Sequence, residues 1–159
     1  MALGKRRRER QLEAFVVASD LPKSPGHPFY TALNRLLAAN GFDALVEKLC
    51  APYYAETMGR PGVPPGVFFR MLFVGYFEGL QSHRAISWRC TDSRSLGEFL
   101  GLSPTDPVPN HSCVSKTHKR LPKEVFDEVF NFILSVAAHK GLLWGEAIGI
   151  DSTTIQANA

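Results

Sequence analysis

Between residues 67 and 77 the chain reads VFFRMLFVGYF, a run with no polar side on a helix apart from Arg70. A helix without a polar face has to be covered all round, so this run predicts the centre of a domain and not its surface. It falls short of the ~18 apolar residues a membrane span requires, and it contains an arginine. Pro64 and Pro65 stand where a helix can begin without losing a hydrogen bond. Gly75 and Gly79 are poor helix formers and mark expected sites of close backbone contact within a helix over 65–79. The 159 residues are enough for one ordinary domain around such a helix, or for one domain and part of another.

The rest of the chain supplies amphipathic helices to cover it. Phe29, Leu33, Leu36 and Leu37 recur at one-face spacing before Asn40-Gly41. Asp43 is placed to cap a short helix carrying Leu45, Val46 and Leu49, which Pro52 ends. Ser82 caps a helix over 83–90. A capping box from Ser95 to Glu98, or a cap at Ser93, starts the next. Asn110 or Ser112 caps a helix running to about Arg120. Pro122 opens the best-marked helix, with Val125, Phe126, Val129, Phe130, Ile133, Leu134 and Ala137 as its apolar face and Gly141 as its stop. Strand character arises only over 146–155. The expected fold class is therefore mainly α, a multi-helix domain with helix-turn-helix-like character, followed by one strand or a short hairpin. The expected division is a basic tail over 1–28, a helical domain over 29–143 and a strand region over 144–159.

Charge and cysteine narrow the function classes. The net charge is +3, which permits a nucleic-acid partner without requiring one. Its distribution says more, because Lys5, Arg6, Arg7, Arg8 and Arg10 form one basic cluster and Lys116, His118, Lys119, Arg120 and Lys123 another. The first reads as a solvated arm, which is compatible with lying along phosphates. Cys50, Cys90 and Cys113 are odd in number and far apart, so packed, reduced thiols are expected and not a zinc site. With no apolar run of membrane length and no signal-like start, the expectation is a cytoplasmic protein with no membrane partner.

The helix over 111–120 is the candidate DNA reader. Ser112, Ser115, Lys116 and Lys119 fall on one helical face, Arg120 adds charge at the end, and Val114 and Leu121 can anchor the other side. The alternative is an ordinary solvated basic helix, and the connector before it is longer than the ~3–4-residue turn of such motifs. Arg84, Arg89 and Arg94 are further candidates. Arg89, beside Trp88, could equally lay its stem on an aromatic ring.

Asp151 closes the strand-like run AIGI and is followed by Ser152, Thr153 and Thr154. Alone it reads equally as a strand-end cap or an Asx turn. The stretches HPFYTALNRLL, GRPGVPPGVFFRMLFVGYFEGLQSHRAISWRC, SRSLGEFLGLS, VPNHSCVSKTHKRLP and GIDSTTIQANA, taken in this order, resemble bacterial insertion-sequence transposases with a DDE, RNase H-like catalytic fold. The resemblance runs from about His27 to Ala159; Cys113 stands where such sequences more often carry Thr. It implies a helical domain that binds the terminal inverted repeats of an insertion sequence in double-stranded DNA. It also implies a first catalytic strand on which Asp151 is the opening metal-holding acid of a trio. In a complete enzyme of this type, Mg²⁺ held by three carboxylates would activate water and then a 3′-hydroxyl. The second Asp and the Glu would lie beyond Ala159. The expectation is therefore an N-terminal fragment that binds DNA, holds no Mg²⁺ tightly and does not cut.

Two alternatives stand beside this. One is an interaction module that pairs with another copy or with a second transposase chain through its strand and helices. The other is a DNA-binding repressor of transposition.

Overall fold

The computed structural model describes residues 25–55 and 62–141, together with Val17. The basic cluster at 5–10, most of the expected tail, the expected strand over 146–155 and Asp151 lie outside the described residues. Among the described residues there are seven α-helices and no strand, so the fold is mainly α. They are α1 (Pro28–Ala39), α2 (Phe42–Cys50), α3 (Pro65–Phe77), α4 (His83–Thr91), α5 (Arg94–Leu100), α6 (His111–Arg120) and α7 (Lys123–His139), with a 3₁₀ turn at Ala51–Tyr53. None is long and apolar enough to cross a membrane.

The helix α3 packs against α2, α4 and α5. Its Phe68, Phe69, Met71 and Val74 are buried with Phe42 and Val46 of α2, Leu96, Phe99 and Leu100 of α5, and Val114 of α6. Each such side chain contributes about 1.5–3 kcal/mol by leaving water. The run is not covered to its end, however: Tyr76 is 81% exposed and Phe77 47%. Phe77 meets only the edge of Phe29, itself exposed, at a centroid distance of 4.8 Å.

Arg70, the one charge in the run, is buried and fully occupied. Its guanidinium forms a two-pronged ion pair with Asp43, donates from Nε to Asn34 Oδ1 at 3.0 Å and from Nη1 to Gly66 O, and lies over the Phe42 ring. One side chain thereby ties α1, α2 and α3 together. Asp43 is accordingly not the cap expected from the sequence. Gly41, with φ +70°, precedes α2, and the Asp43 carboxylate reaches across to α3 instead. It passes so close to Gly66 that a Cβ there would collide with it.

The two glycines in the expected span of α3 play different parts. A Cβ on Gly75 would lie 2.5 Å from Ile86 Cδ1, so its missing side chain lets α4 settle against α3. Gly79 has open space around it and φ +67°, and it turns the chain after α3, which stops at Phe77. Of the alternative caps, Ser93 accepts from the Leu96 amide and Asn110 from the Cys113 amide, so the helix starts are set there. α7 rests on the domain through Val125, Val129, Phe126 and the contact of Phe132 with Phe42. Phe130, expected on its apolar face, is instead 55% exposed.

Candidate nucleic-acid interface

The helix α6 is built so that one side is core and the other is water. Val114 and Thr117 are buried, and Leu121 just after the helix is buried too. Ser112, Lys116 and Lys119 are exposed on the opposite side, and Ser115 is half-buried at its flank. No acidic residue occurs in α6. Its N-terminal end is fixed twice, by the Asn110 cap and by Ser87 of α4, whose hydroxyl donates to Pro109 O at 2.8 Å. The side chains expected to touch DNA thus stand on a helix held rigidly in position. Lys119 and Arg120 also lie in the last turn, where cations suit the negative helix end.

Arg120 has a structural partner as well. Its guanidinium carbon sits 5.1 Å from the centre of the Tyr54 ring, and the Tyr54 hydroxyl donates to Val63 O. The expected DNA contact is therefore exposed but already stacked, and it braces the segment before α3 against the end of α6.

α4 packs on α6 and presents an outer face of its own. Arg84, Trp88 and Thr91 are exposed at helical spacing, with Trp88 at 72%. The sequence singled out Arg84 but not Trp88, although the spacing of four was there to be read. Arg89 belongs elsewhere. Its Nε donates to Glu78 Oε2 at 2.6 Å and its Nη2 to Oε1, and Tyr30 donates to the same carboxylate. Neither sequence reading of Arg89 describes this network. Burial and the neighbouring Glu78 carboxylate raise the Tyr30 phenol pKa above its ordinary value. Arg94 is exposed at the first position of α5.

The seam between α4 and α6 holds a pair that the sequence did not reveal. The rings of His83 and His118 are 5.1 Å apart, backed by Phe126 of α7 at 4.9 Å and Phe68 of α3 at 6.5 Å from His118. Burial and then the neighbouring His118 depress the His83 pKa. A separation of 35 positions carries no periodic signal, so only the tertiary fold discloses the pair. Among the described residues, no group of three or more His, Cys, Asp or Glu side chains is gathered so as to hold a metal ion. Asp151, the expected Mg²⁺ ligand, lies outside them.

A family model described as a transposase domain (DUF772) matches residues 18–120, more than half of the chain, ending at the last residue of α6. No curated protein and no solved structure matches.

Proposed function

Because this chain belongs to the transposase-domain family DUF772, we propose that it binds double-stranded DNA as the helical N-terminal part of a DDE, RNase H-like insertion-sequence transposase. The observation that carries the reading is the outer face of α6, where Ser112, Lys116 and Lys119 stand exposed on a helix anchored by buried Val114 and Thr117. In this reading α4, α5 and α6 act as a helix-turn-helix-like unit, and α6 lies in the major groove. The serines reach base edges, while Lys116, Lys119, Arg120 and Arg84 contact phosphates. The partner sequence is a terminal inverted repeat.

The test is a fluorescence-anisotropy titration of duplex DNA across a salt series. Each lysine that contacts a phosphate adds about 0.9 to the slope of log affinity against log salt. Lys116→Ala with Lys119→Ala is therefore expected to weaken binding at low salt and to flatten that slope by nearly two. A protein that binds no DNA at low salt, or a double variant with an unaltered slope, sinks the reading.

The catalytic part of the proposal rests on the resemblance around Asp151. That carboxylate would be one ligand of Mg²⁺, and the metal would activate water for attack on a phosphodiester. One carboxylate offers at most two of the oxygens that the octahedral ion requires. Binding without strand cleavage is thus expected of this polypeptide, and Mg²⁺-dependent nicking that vanishes in Asp151→Ala would overturn that. A second reading, pairing with another transposase chain, is favoured by the exposed Phe130 on α7. Light scattering that shows a strict monomer at high concentration speaks against it.

A further inference from the structure

The seam of α4 and α6 has a charge state that a phosphate would change. His118 is exposed, and His83 is half-buried as the first residue of α4. No hydrogen bond or ion pair among the described residues occupies either ring. The elements around the pair offer no unpaired carboxylate in contact with it. α3 turns Phe68 towards His118, and α7 turns Phe126 towards it. The nearby charges along the chain are Arg84 on α4, Lys119 and Arg120 on α6, and on α7 Glu124 and the ion-paired Lys123 and Asp127. Two imidazoles this close cannot both be charged without cost, and the cations beside them add to it. An oxyanion placed against both rings reverses that balance, because each protonated ring is a donor as well as a charge.

The position suits DNA. His118 is three residues after Ser115 on α6, at the flank of the exposed face, and it closes the seam on the α4 side. The geometry points to His83 and His118 as a proton-linked phosphate contact: a backbone phosphate of bound DNA bridges the two rings, and binding takes up protons there. This rests on the DNA-binding reading above and adds to it a site and a pH dependence that the α6 lysines cannot supply, since lysine stays charged across neutral pH.

Linkage sets the expected size. Each proton taken up on binding raises affinity about tenfold per pH unit between the free and the bound pKa. Duplex DNA affinity of the whole chain, measured by anisotropy at fixed ionic strength, should rise about tenfold or more between pH about 7.5 and about 6. His83→Gln and His118→Gln should each flatten the profile. His111→Gln, which removes the other histidine of α6, should leave it intact. In the unaltered chain, NMR titration of the ring C–H signals should show both pKa values rising when the duplex is added, a readout that does not depend on how a variant folds. DNA binding with a flat profile, variants that keep the full slope, or ring pKa values that stay put on binding would overturn the phosphate contact and leave DNA binding standing. A chain that binds no duplex at any pH would remove the DNA reading and this contact with it.

Discussion

At the scale of single residues, the ion pair of Arg70 with Asp43 decides more than its exposure suggests. Arg70 is 8% exposed in its side chain and Asp43 49%, so one partner is buried and the other faces water. Removing the carboxylate strands a buried guanidinium; the accessible site softens the loss, and Asp43→Ala is expected to cost about 1–3 kcal/mol in a urea unfolding experiment. The pair also makes stability depend on acid. The hydrogen bonds from Arg70 hold the Asp43 carboxyl below its ordinary value, against the opposing effect of burial. A depressed folded pKa means that the unfolded chain takes up the proton first. The stabilisation is therefore complete above the ordinary carboxylate pKa of about 4 and disappears as pH drops through the lower folded value. Urea midpoints measured from pH about 6 downwards should fall in that window, and Asp43→Asn should remove that part of the fall. Gly75 sets a second test at this scale. In an open helix Gly→Ala would add about 1 kcal/mol of stability. Here the new methyl would meet Ile86, and the net is expected to be a loss of about 1–3 kcal/mol. A thermal melt of Gly75→Ala that is raised would show that α4 can step aside.

At the scale of elements, helix starts test how far local chemistry governs this fold. Asn110 closes α6 by accepting from the Cys113 amide, and Ser82 closes α4 by accepting from the Ala85 amide. Asn110→Ala should cost about 1 kcal/mol, visible as a lower melting temperature. Because the cap also aims α6, DNA affinity should fall along with it; a variant that loses stability and keeps full affinity would separate the cap from the proposed interface. These starts were legible in the sequence because a cap is a local device: donor and acceptor are three residues apart. The same holds for the start of α3 at its prolines and for the buried Val114 and Leu121, which follow from periodicity. What could not be read was whatever joins distant positions. Asp43 looked like a cap because its partner, Arg70, is a helix away. Arg89 looked free because Glu78 and Tyr30 reach it from other elements. His83 and His118 meet only because α4 packs along α6. Phe130 fits the period of α7 and is nevertheless exposed, since period says which residues share a side and not how far the neighbours extend over it.

At the scale of the whole molecule, the three thiols report how the domain opens. Cys50 of α2 and Cys90 of α4 are buried, at 0% and 1% exposure, whereas Cys113 of α6 is half-buried and without a raised pKa cause to slow it. Burial pushes the Cys50 thiol up to about 11 and the Cys90 thiol up to about 12. Only thiolate reacts with an alkylating reagent, so both interior cysteines are protected by access and by protonation at once. They also sit on different sides of α3, which packs against α2 and α4 alike. If the domain opens as one cooperative unit around that helix, Cys50 and Cys90 should be alkylated at the same slow rate under native conditions, and Cys113 much sooner. Mass spectrometry of peptides after timed labelling gives the three rates. Equal, slow rates at the interior pair mean that the buried α3 run couples the two sides. A faster Cys90 would mean that α4, and with it the seam that carries His83, opens by itself while α1, α2 and α3 stay closed.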